Sequence, residues 1–189
     1  MPRSFCTDRL LIRSFTLEDP DAVHGVYGDE QVMRHVGDGT VADLAQTRKM
    51  VRDYIDHERR HGFSFWAVVE RESDTVMGDA GLYLLEGTGP EVELGYTLGR
   101  AWWGRGYATE AARACLDLTW REFGQQEVVA VADPLNAASI HVLHKVGMRL
   151  DRPIIAYRRE HELYRLTLRS ASTTSRTSRL DDGRPGEPG

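Results

Sequence analysis

Cysteine is scarce: Cys6 and Cys115 are the only two in 189 residues. Two thiols so far apart make neither a disulfide framework nor a zinc motif. Cys115 falls on the apolar side of a helix-like stretch, where a thiol packs as a small apolar group. No run of about eighteen apolar residues exists, so no membrane span is expected. Arg3, Asp8 and Arg9 interrupt the N-terminal stretch that a signal peptide would need to be apolar, so a cytoplasmic location is expected. Excess positive charge is also missing. Lys and Arg number 24 against 29 Asp and Glu, a formal net charge of -5, which argues against a broad nucleic-acid surface. His141 and His144 share a helix face, but no third ligand stands at a fitting position, so no metal is expected. Internal repeats are absent. What remains is an ordinary globular composition, 41% hydrophobic and 28% charged, with enough chain for one domain with a real core.

Periodicity divides the chain into elements. Residues 9–15 read as a first strand, and 16–20 carry helix-start signals before short helices at 21–27 and 29–35. Residues 37–40 are a turn. Helical spacing of Leu44, Met50, Val51, Tyr54 and Ile55 predicts a helix over 41–61, stopped by Gly62. Alternation predicts strands at 63–70, 75–85 and 91–98, joined by a turn at Ser73-Asp74 and another at 87–90. A helix over 108–123 presents Ala108, Ala111, Ala112, Cys115, Leu116, Thr119 and Phe123 on one face and ends at Gly124. Residues 127–132 are apolar without a break from Val128 on, as in a parallel strand covered on both faces. A turn at 133–136 ends in Asn136, an N-cap for a helix over 137–146 that Gly147 stops. Residues 149–157 and 162–168 are the last strands. The segment 170–189 is rich in Ser, Thr, Arg, Gly and Pro, with too little apolar surface to bury, and is expected to be disordered. The fold class is therefore α+β, a mixed, mostly antiparallel sheet flanked by helices, with a domain at 1–169 and a tail at 170–189.

The most informative stretch is Trp103-Gly-Arg-Gly-Tyr-Ala-Thr-Glu-Ala111. It lies between a strand and a helix, where glycines admit close backbone approach and the amides of the first helical turn face an anion. Gly99 and Gly104 have P-loop spacing, but Arg105 and Gly106 stand in place of its lysine and hydroxyl residue. Gly104 and Gly106 begin a dinucleotide pattern, but Thr109 holds the third glycine's place. Gly106 and Ala108 fill the last two defined places of Gln/Arg-x-x-Gly-x-Gly/Ala, with Trp103 replacing its first residue. In this the loop resembles the acyl-CoA loop of the GNAT N-acetyltransferase superfamily, in its RimJ/RimL-like branch. Residues 136–148 are similar to that branch's Asn-x-x-Ser-x-x-Val-Leu-x-Lys-x-Gly-Phe signature, with Met148 for the final aromatic residue. Gly78-Asp79-Ala80-Gly81-Leu82 and Glu93-Leu94-Gly95-Tyr96 also look like that branch.

The resemblance implies an acyl-CoA N-acyltransferase fold over residues 7–169. It implies transfer of the acetyl group of acetyl-CoA to a primary amine, on a protein N-terminus or a small molecule, by direct attack on the thioester. A non-catalytic acyl-CoA-binding sensor or partner-binding module is the alternative. Gly104, Arg105, Gly106, Tyr107, Ala108 and Thr109 are assigned to the diphosphate, mostly through backbone amides. Tyr96, Thr97 and Leu98 would pair their backbone with the pantetheine arm. Asn136 caps its helix, and by resemblance also bonds that arm. Many superfamily members carry a tyrosine further along this helix to protonate the thiolate, where this chain has Leu143; in the RimJ/RimL-like branch Ser139 takes the sulfur-facing place. Glu93 is the candidate base, with a structural carboxylate as the rival reading and Asp79 a second candidate. Tyr157, Glu160 and His161 fall near the expected acceptor pocket. Trp66, Trp102 and Trp103 read as packing groups. Partners are acetyl-CoA and an amine, with no nucleic acid or membrane, in a monomer or homodimer.

Overall fold

In the computed structural model, residues 2–167 are described. They form β1 (Ser4–Cys6), β2 (Leu10–Arg13), α1 (Pro20–Tyr27), α2 (Glu30–Met33), α3 (Leu44–His61), β3 (Phe65–Glu70), β4 (Thr75–Leu84), β5 (Val92–Leu98), α4 (Tyr107–Leu118), β6 (Glu127–Ala132), α5 (Ala137–Lys145), β7 (Arg149–Ala156) and β8 (Arg159–Thr167). One eight-stranded sheet runs in the order β1-β2-β3-β4-β5-β6-β8-β7. All neighbours are antiparallel except β5 and β6, which are parallel. Parallel neighbours need a crossover, and α4 supplies it. Their pairing is confined to Glu93↔Val129, early in both strands. Past that point the strands part, and the wedge between them opens toward Leu98 and Ala132.

Strand alternation assigns the two faces of the sheet. Trp66, Val68, Met77, Ala80, Leu82, Leu94 and Leu98 bury one face against Ala111, Ala112, Cys115 and Leu116 of α4 and Leu143 of α5. The other face packs Ala67 against Val23, Val26 and Tyr27 of α1 and Val51 of α3.

The mixed antiparallel sheet with flanking helices agrees with the sequence reading, and several boundaries move for local reasons. The third helix starts at Leu44 because Asp43 and Gln46 form a reciprocal capping box (2.7 Å for each bond). The helix expected over 108–123 begins at Tyr107 and is α-helical only to Leu118; Thr119–Phe123 is a π-helical turn. The Thr119 hydroxyl donates to the Cys115 carbonyl there at 2.6 Å. The strand expected over 9–15 shortens to β2, and β1 was not anticipated; three residues are too few for periodicity to register. The last strand begins earlier, at Arg159. Its expected end at 168 and the tail at 170–189 lie outside the described residues.

Candidate active site

A cavity of about 650 Å³ occupies the wedge and continues over the opposite sheet face toward α3. Glu93, Tyr96, Thr97, Asn136 and Ser139 line it, together with Asp79, Tyr157 and His161. Leu98 and the loop residues Gly104, Arg105, Gly106, Tyr107, Ala108 and Thr109 are not on its wall. The sequence-derived site is thus divided between a cavity and an adjoining surface loop. Glu160, also considered for the acceptor side, is exposed and off the wall.

On the α3 side, Glu93 and Thr97 share one face of β5, and Asp79 sits opposite Thr97 on β4. Both carboxylates are buried, at 5% and 2% exposure, and neither has a basic partner among the described residues. Burial pushes the Glu93 carboxyl up to about 7, against the opposing pull of bonds from the Tyr157 hydroxyl and the Val131 amide. Burial likewise lifts Asp79 to about 7, despite bonds from Thr97 and from the Tyr27 hydroxyl at 2.6 Å. Tyr157 comes from the turn between β7 and β8, where its φ is 51°, and its amide donates to Glu86 Oε1 at 2.8 Å. Burial, and then the Glu93 charge, raise the Tyr157 phenol above its ordinary range, so it remains a donor to Glu93.

On the α5 side, Asn136 Oδ1 accepts from the Ser139 amide at 3.1 Å, so the capping role is observed. The Tyr96 hydroxyl lies 3.0 Å from Ser139 Oγ and 3.0 Å from the Ser139 carbonyl. Sequence reasoning used Tyr96 only for its backbone. The 43-residue separation left no signal for this pair.

In the loop, Gly104 and Gly106 have φ of 73° and 82°, a conformation that favours glycine. Gly106 precedes α4 without a side-chain cap, and the bond from the Glu110 amide to the Gly106 carbonyl is the first of the helix. The amides of Tyr107, Ala108 and Thr109 therefore have no intrahelical acceptor and suit an anion. The Trp103 indole donates to the Leu98 carbonyl at 2.7 Å. This closes the turn and occupies one of the backbone groups assigned to the pantetheine arm. Arg105 lies 5.8 Å from the centre of the Trp102 ring.

The loop also has supports that sequence reasoning missed. Arg9 donates to the Arg105 carbonyl at 3.0 Å and to Glu110 at 2.8 Å, and its guanidinium lies 4.1 Å from the centre of the Tyr107 ring. Thr7 donates to Glu110 at 2.5 Å. These contacts join the start of the sheet to the start of α4 across about a hundred residues of sequence, beyond any local pattern.

Residues 9–149 match the family model of the acetyltransferase (GNAT) domain. The Bacillus subtilis protein YkkB is 33% identical over 163 residues, covering 82% of this chain and 94% of its own. The crystal structure of a GNAT-family acetyltransferase from Bacillus anthracis is 25% identical and superposes with a TM-score of 0.74 over 87% of this chain and 98% of that one. RimL, a ribosomal L7/L12 alpha-N-protein acetyltransferase solved with coenzyme A, has a TM-score of 0.75 at 17% identity, over 88% of this chain and 98% of that one.

Proposed function

This chain belongs to the GNAT acetyltransferase family and is an acetyltransferase enzyme, and on that premise we propose that it moves the acetyl group of acetyl-CoA to a primary amine by direct attack on the thioester. The acceptor is a protein N-terminal amine or a small-molecule amine. The likeness of fold to RimL, and the motif resemblance to the RimJ/RimL-like branch, support the first. The observation that carries the proposal is the cavity through the β5–β6 wedge, with the Glu93 carboxyl on one side and the Ser139 hydroxyl on the other.

The residues present fit acetyl-CoA. The uncapped first turn of α4, with Gly104 and Gly106 before it, offers backbone donors for a diphosphate. The unpaired parts of β5 and β6 offer backbone groups for an amide-bearing arm. When bound, acetyl-CoA supplies an activated acyl carbon with a thiolate leaving group.

Glu93 then acts as the base. An ordinary aliphatic amine is protonated at neutral pH and cannot attack until its proton is removed. A carboxylate that titrates near 7 is matched to that task. Tyr157 holds it in place and, by donating to it, favours its ionised form. Backbone amides of β5 polarise the acyl carbonyl, and Ser139 donates a hydrogen bond to the sulfur as the carbon–sulfur bond breaks. The ammonium sheds two protons on the way to the amide: Glu93 takes the first before attack and passes it to solvent, then takes the second as the tetrahedral adduct collapses and the electron pair leaves on sulfur.

An acceptor screen tests the proposal. Peptides with free N-termini, amino acids and small amines are incubated with acetyl-CoA, and products are read by mass spectrometry and free-thiol release. One acceptor class should gain an acetyl mass with equimolar thiol. Failure to bind CoA, with no transfer to any amine, would overturn the reading.

A further inference from the structure

The turn between β4 and β5 holds Glu86 at a φ of 54°, a conformation that side chains rarely adopt. Such a backbone persists only where its surroundings over-determine it, and here a second turn of the same kind does so. Tyr157, at a φ of 51° between β7 and β8, donates its amide to Glu86 Oε1 at 2.8 Å, and its hydroxyl accepts from the Glu86 amide at 3.4 Å. The same hydroxyl donates to Glu93. One tyrosine therefore grips two carboxyls of the cavity wall, the buried Glu93 and the exposed Glu86. We infer that Glu86 selects the acceptor, and that the class it selects is an amine with a second positive charge near the reacting nitrogen: a diamine, or a peptide N-terminus followed by a basic side chain. This rests on the reading that the cavity receives the acceptor amine.

Charge around the cavity favours that class. Among the described residues, the strong bases on its wall are Lys49 and Arg158, and each already faces a carboxylate, Asp53 at 2.6 Å and Asp38 respectively. Glu86, like Glu93 and Asp79, has no basic partner among the described residues. A doubly charged acceptor supplies the missing positive charge. A carboxylate at the far end of the acceptor meets Glu86 instead and finds no unpaired base. Burial is the main cause that raises Glu93, and the Glu86 charge adds to it, so the two carboxyls act on the same small region. A carboxylate accepts several hydrogen bonds; the bond from Tyr157 orients Glu86 and leaves lone pairs for a ligand. Met50, Tyr54 and Phe65 add an apolar stretch to the same wall. That stretch suits the methylene chain of a diamine, and the ring faces attract an ammonium. The reacting nitrogen gives its proton to Glu93, while the second nitrogen stays protonated at neutral pH.

Acceptor kinetics on the wild type and Glu86→Gln test the inference. Glutamine keeps an oxygen for the Tyr157 amide and removes the charge. Diaminobutane, butylamine and aminobutyrate share a chain length and present a positive, a neutral and a negative far end. Two tripeptide amides, with arginine or alanine in second place, make the peptide arm. Transfer is read by thiol release at saturating acetyl-CoA. Wild-type kcat/KM should fall about tenfold at each step from the positive to the negative far end, or about tenfold from the arginine to the alanine peptide. The set turned over faster identifies the source of the amine. In Glu86→Gln each step should shrink about fivefold, the size of an exposed ion pair. Added salt should shrink the wild-type steps as well, because the charge of Glu86 is exposed to screening. Equal kcat/KM across both sets overturns the inference, as does a preference that Glu86→Gln or salt leaves intact. Protein that transfers acetyl to no amine overturns instead the acetyltransferase reading of the cavity, and the inference with it.

Discussion

Glu93 and Asp79 are chemically alike at this site: both are buried carboxyls on the cavity wall, bonded by tyrosine hydroxyls and pushed up to about 7. Burial and bonding do not choose between them: Glu93 stands on β5 itself, and Asp79 on β4 opposite Thr97. Rate against pH does. With Glu93 as base, kcat/KM should rise through about pH 7 and level off, since only the ionised carboxyl accepts a proton. Glu93→Gln should lower the plateau by about a hundredfold, in the range of a general base, and abolish that limb, while Asp79→Asn keeps it. The reverse pattern would transfer the role to Asp79. The sequence named both residues and ranked Glu93 first, but it could not reveal that Tyr157 bonds to Glu93. That pair spans 64 residues and depends on an αL turn between β7 and β8.

The loop and α4 make a unit whose character was legible in the chain. Two glycines between a strand and an amphipathic helix specify an uncapped helix start wherever the pair is read. Gly106→Glu should remove CoA affinity by at least about tenfold, because it brings a negative charge to the anion-facing turn and strains a φ of 82°. Gly106→Ala separates the two effects, since it carries the strain without the charge. Calorimetric titration with CoA should find the alanine variant between wild type and Gly106→Glu. Equal affinities in all three would remove the loop from the binding site. Less legible was the end of α4. The apolar face of Ala111, Ala112, Cys115 and Leu116 continues in register to Thr119, and periodicity alone does not register the widening to a π turn.

Over the whole molecule, the buried carboxyls couple stability to pH. Glu93 and Asp79 have ordinary values of 4.5 and 3.8 and titrate at about 7 in the fold. A raised value means that the folded state binds protons that the unfolded state has already released. The resulting stabilisation is full below about pH 4 and is lost as pH rises through about 7, on the order of a few kcal/mol for each group. Other groups act in the opposite sense: His57 and the carboxyls of Asp19, Asp29, Asp38, Glu70, Glu110 and Asp133 are all held below their ordinary values. Burial lowers His57, whose protonation favours the unfolded chain as pH falls. Burial pushes Asp19 up, but the bonds and charge of Arg13 together with the bonds from Thr16 outweigh it, so this lowered carboxyl loses its contribution in acid. Tm of the ligand-free protein should therefore peak below neutrality and decline from about pH 6 to 8. Asp79→Asn combined with Glu93→Gln should flatten that decline. An equally steep decline in the double variant would show that the two carboxyls are ionised in the free protein.

Local chemistry in the chain was enough to identify most helices and strands, the glycine loop, the capping asparagine and the family. Each of those signals is carried by neighbours within a few turns or a strand's length, where periodicity and backbone preference operate. The wedge between β5 and β6, the bonds from Tyr157 to Glu93 and from Tyr96 to Ser139, and the clasp of Arg9 on the loop came only from the folded chain. They depend on sheet order and on how side chains from distant segments pack, and no short-range pattern records either.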